Sequence, residues 1–157
     1  MRLKRLTLLI ILPFMLFSCN DDDGGYTQVK AIENLIYVTI KEYREDNGQT
    51  GPFVHQYLMV EEAQLYSTKM ALGIEPYGTQ GLEEHWNTLT GKFDFYNLNA
   101  LVLKTETNDE DLILSELLLI PDADSILQSD VTQCGVGVEV DSDGFNYVTI
   151  LLAKADS

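Results

Sequence analysis

The sequence predicts an α+β domain with a largely antiparallel sheet, and two observations predict this class. Apolar residues recur at steps of three and four in the first part of the chain, which is the spacing of a helical face. The last part of the chain has the pattern of a β-hairpin. Helices followed by neighbouring strands favour the α+β class, because consecutive strands pair in antiparallel fashion.

Two amphipathic helices come first along the chain. Asn47 and Gly48 end the first one, because glycine adopts positive φ just beyond a helix without steric cost. The second helix is predicted to end near Leu72. The apolar face of the first helix consists of Val29, Ile32, Ile36, Ile40 and Tyr43, and that of the second of Met59, Ala63, Tyr66 and Met70.

The middle of the chain predicts a loop, a strand and a third helix. Residues 73–91 are rich in glycine, so we expect a loop with a short helical piece at 83–89, and residues 93–103 have the aromatic and branched residues of a strand. Thr107 and Glu110 fit a capping box, and Pro121 marks the end of the helix. Its apolar residues lie nearly all round it, which predicts burial on most sides. They are Leu112, Ile113, Leu114, Leu117, Leu118, Leu119 and Ile120.

The hairpin closes the chain, with strands at 136–140 and 145–152 and a tight turn at 141–144. Gly135 and Gly137 precede no helix that could receive a phosphate, so we interpret them as strand glycines at a close backbone approach. Cys134 lies in the same apolar run, and we expect a buried, unreactive thiol there.

The first residues have the layout of an export signal. Arg2, Lys4 and Arg5 precede an apolar run at 6–17. This run is shorter than the roughly 20 apolar residues of a membrane-spanning helix. Residues 16–19 (LFSC) resemble a lipobox, in which the cysteine becomes lipidated, so we expect acyl chains on Cys19. An uncleaved signal anchor is the alternative interpretation.

Three segments are therefore predicted: a signal peptide at 1–18, a lipidated cysteine with an acidic tether at 19–26, and a domain at 27–157. The acidic run at 20–23 resembles the tether that sends some lipoproteins to the outer face of the outer membrane, although a plain solvated linker has the same composition. We expect an outer-membrane lipoprotein facing outwards, held by Cys19 and monomeric.

The charge of the chain excludes nucleic-acid binding. The formal net charge is −15, and the loss of Arg2, Lys4 and Arg5 with the leader makes the mature chain more negative still. Phosphate recognition needs clustered basic residues, whereas the remaining lysines and Arg44 are scattered singly. We therefore expect a membrane and a protein or lipid ligand as partners, and no nucleic acid.

Two blocks of residues resemble the CAP superfamily, also called SCP-like after the sperm-coating and pathogenesis-related proteins. The first is KEYREDNG at 41–48 with the helix that follows, similar to the family's NEYR..NG and L...A......MA patterns. The second is VTQCGVGV at 131–138 with the strand at 147–152, similar to the family's T..GVGV strand and its partner. The likeness covers most of the chain after about Val29 and implies a three-layer α-β-α sandwich.

The resemblance also implies a cleft with two histidines and two acidic residues, a set that suits a divalent metal. His85 matches the first histidine and Glu116 the second acid, but leucine stands at Leu98 where a carboxylate is expected, and residues 121–127 contain no histidine. We therefore expect no bound metal and no cofactor. His85, Glu84 and Glu116 are the candidate cleft residues.

These observations favour a non-enzymatic CAP-like domain that binds a protein or a small apolar ligand. Neither of the two histidines, His55 and His85, lies in a motif of nucleophilic catalysis, so we assign no catalytic residue. Two alternatives stay open. One is a divergent metal-assisted hydrolase of envelope material that uses His85 with nearby carboxylates, and the other is an unrelated α+β adhesin-like lipoprotein.

Overall fold

The computed structural model describes residues 28–155. The predicted signal peptide, Cys19 and the acidic tether lie outside this range. Along the described residues the elements are α1 (Ala31–Asp46), β1 (Val54–His55), α2 (Tyr57–Ala71), α3 (Glu83–Lys92), β2 (Phe95–Thr105), α4 (Glu110–Leu117), α5 (Ala123–Leu127), β3 (Gln133–Val140) and β4 (Asn146–Ala155).

The strands form one sheet in the order β1-β3-β4-β2. β4 pairs antiparallel with both of its neighbours, while β1 pairs parallel with β3. A bulge between Tyr96 and Asn99 interrupts the ladder of β2, and Asn97 adopts a positive φ of 53° there. The predicted, largely antiparallel sheet is confirmed.

The sheet lies between two helical layers, each with its own apolar core. On one face, α1, α4 and α5 cover Leu101, Leu103 and the branched residues of β3. On the other face, α2 and α3 cover Val102 and Leu151. Successive strand residues point to opposite faces of a sheet, so β2 contributes alternately to both cores. The three-layer α-β-α fold is thus confirmed.

Helix α2 lies directly on β3 because two glycines remove the side chains between them. A Cβ atom on Gly135 would lie 2.2 Å from the backbone carbon of Met59, and one on Gly137 would lie 2.2 Å from that of Ala63. Ser67 closes the contact by donating a hydrogen bond to the carbonyl of Gly137 at 3.0 Å. The predicted close backbone approach is confirmed, and helix α2 is the element involved.

Helix α1 is fixed to the opposite face at both ends by buried charged side chains. The Glu33 carboxylate accepts hydrogen bonds from the backbone of Val138 at 3.0 Å and from its own N-cap, Lys30, at 2.7 Å. The Arg44 guanidinium donates to the carbonyls of Leu127 and Val131 and stacks on an aromatic ring. Each charge is hydrogen-bonded, as a buried charge requires.

The third predicted helix differs from its expected form. Its N-cap is Asp109, whose carboxylate accepts from two backbone N–H groups, whereas Thr107 accepts from Asp109 in the turn before it. The helix ends at Leu117 and is not buried on most sides, since Leu112 is 54% exposed; Leu119, within the predicted helix but beyond the observed one, is 82% exposed. Only its inner face packs on α1 and the sheet.

The other predicted elements are present. The hairpin turn is held by the Asp141 carboxylate, which accepts from the backbone of Asp143 and Phe145, and Gly144 has a φ of 90°. Cys134 is fully buried, and burial raises the pKa of its thiol. The short elements β1 and α5 were not predicted.

We predict that Gly137→Ala lowers the free energy of unfolding by about 2–3 kcal/mol, because the added methyl group must push α2 away from β3. Urea denaturation followed by circular dichroism measures the effect. Gly51→Ala is the matched control, since Gly51 has open space around its Cβ position, and it should change the free energy by less than about 1 kcal/mol. Equal effects of the two substitutions would contradict this account of the α2–β3 contact.

Candidate functional site

A groove of about 300 Å³ lies over β2, the strand at one edge of the sheet. One wall is the segment 77–80, the floor is residues 100–102, and the other wall contains Ile120, Pro121 and Ile126. We call it the β2 groove. Ligand sites are typically concave, with apolar walls and a few polar groups, and this groove has that composition.

The first wall is held in place by Tyr66, a fully buried residue of α2. Its hydroxyl donates to the carbonyl of Gly78 at 2.8 Å and accepts from the N–H of Gly81 at 3.2 Å. Gly78 adopts a φ of 130°, a conformation that side chains disfavour. The hydroxyl of Tyr77 reaches the carbonyl of Val102 at 3.4 Å, so this wall also covers part of the strand edge.

The second wall is the turn between α4 and α5. Asp122 has a φ of 63°, and the short α5 that follows is anchored by the buried Ala123 and Leu127. The hydroxyl of Tyr43 donates to the Asp124 carboxylate at 2.6 Å, and this hydrogen bond lowers the pKa of Asp124. Helix α1 therefore supports the wall from behind.

The β2 groove is uncharged although the chain is strongly acidic. Among the residues the structure describes, no Asp, Glu, Lys or Arg lines it. Its polar side chains are Tyr77, Thr79 and Gln80. A neutral surface of this kind gives no electrostatic partner to a charged ligand.

His85, the first candidate cleft residue, is buried between α2 and α3. Its Nδ1 lies 2.6 Å from a carboxylate oxygen of Glu62, and its Nε2 lies 3.4 Å from the Nζ atom of Lys69. The ring also meets Tyr66 edge-on, with 5.3 Å between the ring centroids. The residue is 1% exposed, so these contacts tie α3 to α2 and leave no open face for a substrate.

The other two candidates do not meet His85 in one cleft. Glu84 points outwards with 79% of its side chain exposed and pairs with Lys69 at 3.3 Å. Glu116 lies on α4, whose neighbours are α1 and β2 on the other face of the sheet. The three residues therefore belong to two different helical layers.

Glu62 is the partner of His85 that sequence reasoning missed. One signal was present, because Glu62 lies three residues after Met59 and four before Tyr66 on the apolar face of the predicted second helix. A carboxylate on an apolar helix face needs a partner, since burial of an unpaired charge is costly.

The segments that the family resemblance connects with metal binding border the β2 groove. Pro121 and Ile126 line it, and Ala100 follows the segment 98–99 directly. Within residues 28–155, no group of three or more His, Cys, Asp or Glu side chains is arranged to hold a metal ion. The same residues contain no helix long and apolar enough to cross a bilayer.

His55, the second histidine, lies near the opposite edge of the sheet, on β1. Its ring stacks on Tyr37 with 4.5 Å between centroids and an interplanar angle of 7°. Burial lowers the pKa of His55 to about 4. The ring is therefore neutral at physiological pH.

The chain matches no protein-family model and no curated protein sequence. Among solved structures it is similar to an outer surface protein from Borrelia burgdorferi, with a TM-score of 0.67. The sequence identity is 14%, and the match covers 85% of this chain and 99% of that one. At this identity the likeness shows a shared fold.

We predict that His55 makes the folded state less stable in acid. The imidazole titrates near 6.5 in the unfolded chain and near 4 in the folded one, so between these values the unfolded state binds a proton that the folded state does not. Stability should fall as the pH drops from about 6.5 towards 4, with no contribution above about 7.

The measurement is the free energy of unfolding of the wild type and of His55→Phe across this pH range. The phenylalanine keeps the ring that stacks on Tyr37 but cannot take a proton. We expect the wild type to lose more stability than the variant below about pH 6.5, and parallel profiles would show that His55 does not contribute.

Proposed function

We propose that this protein is a lipid-anchored domain on the cell surface that binds a small, uncharged and largely apolar ligand in the β2 groove. The observation that supports the ligand class is the uncharged lining of the groove in a chain with a net charge of −15. An anionic ligand would meet the repulsion of the acidic surface, and a cationic one would find no carboxylate in the lining. A neutral ligand avoids both costs.

The walls of the β2 groove favour a small molecule over an extended peptide. A peptide in this groove could extend the sheet only by pairing with the free edge of β2. The hydroxyl of Tyr77 already reaches the carbonyl of Val102, and Pro121 stands on the other side of the strand. The groove volume of about 300 Å³ is at the lower end of the range for small-molecule sites.

Two observations support the proposed location. The short leader and the LFSC segment that ends at Cys19 have the layout of a lipoprotein signal. The fold is shared with a protein named as an outer surface protein. The acidic run at 20–23 and the CAP resemblance agree with a tethered binding domain of this type.

The surroundings of His85 do not favour the hydrolase alternative. It needs His85 with carboxylates at an open cleft, whereas His85 is 1% exposed and bonded to Glu62 between α2 and α3. The β2 groove has hydroxyl and amide groups but no paired acid and base among its lining residues.

For the anchor, we predict that Cys19→Ala removes the acyl label and releases the protein from the membrane fraction. Each acyl CH₂ contributes about 0.8 kcal/mol to membrane binding, and the loss of the chains removes this contribution. Metabolic labelling with an alkyne fatty acid and membrane fractionation measure both effects. Cys134→Ala is the matched control, since that thiol is buried in the domain. A variant that stays in the membrane without label would support an uncleaved anchor instead.

For the groove, we predict that a chain starting at Gly24 binds 2-naphthol with saturation and binds 2-naphthoate at least about tenfold more weakly. The two probes share their rings and differ in charge. Isothermal titration calorimetry gives both affinities. Ala100→Trp should abolish binding of 2-naphthol, because the indole fills the floor of the groove.

Two matched variants test the origin of this selectivity. Thr79→Arg places a positive charge on the groove wall and should shift the preference towards 2-naphthoate, whereas Thr50→Arg makes the same change at an exposed loop residue outside the groove. A similar shift in both variants, or binding unaffected by Ala100→Trp, would contradict the assignment of the β2 groove.

A further inference from the structure

A second cavity, of about 270 Å³, lies at the opposite edge of the sheet, where α1 begins and β1 leads into α2. We call it the His55 pocket. It is lined by Val29, Lys30, Ala31, Asn34, His55 and Tyr57. Because β1 and β2 are the two outermost strands of the sheet, the His55 pocket is separate from the β2 groove.

The imidazole of His55 is held in one orientation and one protonation state. One ring face lies on Tyr37. The Nε2 atom is sealed from solvent and has no hydrogen-bond partner among the described residues. The neutral ring has one N–H and one unprotonated nitrogen, and because Nε2 is sealed, Nδ1 is the ring nitrogen left for a ligand in the pocket.

The rim of the His55 pocket combines an aromatic ring with an amide. Tyr57 is 69% exposed, so the face of its ring is open to a ligand. Asn34 lies one helical turn before Tyr37, lines the pocket together with His55 and is exposed, so its amide is open to a ligand. An amide offers both donors and an acceptor. A ligand with an apolar face and several hydroxyl groups matches this set.

The charges around the pocket favour a neutral ligand. Lys30 is the one charged residue of the lining, and its Nζ atom already binds the carbonyl of Val138 and the Glu139 carboxylate, the latter at 3.0 Å. Its charge is thus compensated. The strongly acidic chain repels free anions, and no carboxylate of the lining attracts a cation.

From these contacts we propose that the His55 pocket is a binding site for one neutral sugar ring, which stacks on Tyr57 and hydrogen-bonds to Asn34 and His55. The ring is either a free monosaccharide or the terminal residue of a glycan, since both present the same hydroxyl groups and C–H face. The site does not depend on the β2 groove or on its ligand.

The test uses the full-length lipidated protein in a detergent without a sugar headgroup. Saturation-transfer difference NMR is recorded with glucose, galactose, N-acetylglucosamine and myo-inositol, and with acetate as an anionic probe. Dissociation constants come from titration up to about 50 mM. The same sugars at the ends of immobilised oligosaccharides distinguish a glycan end from a free monosaccharide.

Variants at exposed residues keep the test independent of folding. We expect at least one neutral sugar to bind, and we expect Tyr57→Ala and Asn34→Ala each to weaken binding by about tenfold. Tyr96→Ala and Asn108→Ala change the same residue types at exposed sites elsewhere and should leave the affinity unchanged.

Three results would overturn the proposal. The first is no binding of any neutral sugar in either format. The second is binding of acetate alone, which would indicate an anion site at the start of α1. The third is sugar binding that Tyr57→Ala and Asn34→Ala leave unchanged, which would place the sugar elsewhere on the protein.

Discussion

The direct contact of α2 with β3 is the constraint on which the rest of the domain depends. Gly135 and Gly137 allow the helix backbone to touch the strand, and a Cβ at either position would lie 2.2 Å from the backbone of α2. Tyr66 on this helix holds the first wall of the β2 groove, and Glu62 on the same helix binds His85 and so positions α3. A shift of α2 away from the sheet would therefore disturb both the groove and the helical layer around it.

Helix α1 has the equivalent role on the other face, through polar contacts at its two ends. Glu33 binds the backbone of β3, and Arg44 binds carbonyls at the end of α5 and just before β3. Arg44 thereby fixes the end of α5, which borders the second wall of the groove. The KEYREDNG block, which carries the CAP resemblance, contains this arginine. The contacts of Arg44 in the fold explain why an arginine stands there, without reference to the family.

The sequence predicted the parts of the fold that depend on local pattern, and it missed those that depend on tertiary contact. Long periodic segments such as α1 and α2, and the hairpin with its Asp141 turn, were found correctly. Thr107 and Asp109 can both cap a helix, and in the structure Asp109 is the N-cap. The two residues of β1 and the five of α5 are too short for any periodicity to show. The groove joins residues 77–80, 100–102 and 120–126, and nothing in their spacing brings them together.

The central claim is that the β2 groove binds a neutral apolar molecule. Hydrogen–deuterium exchange of the chain with and without 2-naphthol tests it most directly, because it locates the ligand without a variant. We expect slower exchange in the segments around 77–80 and 120–126 and at the centre of β2, with no change in α1 or β1. Slower exchange confined to the start of α1, or no change anywhere under saturating 2-naphthol, would contradict the claim.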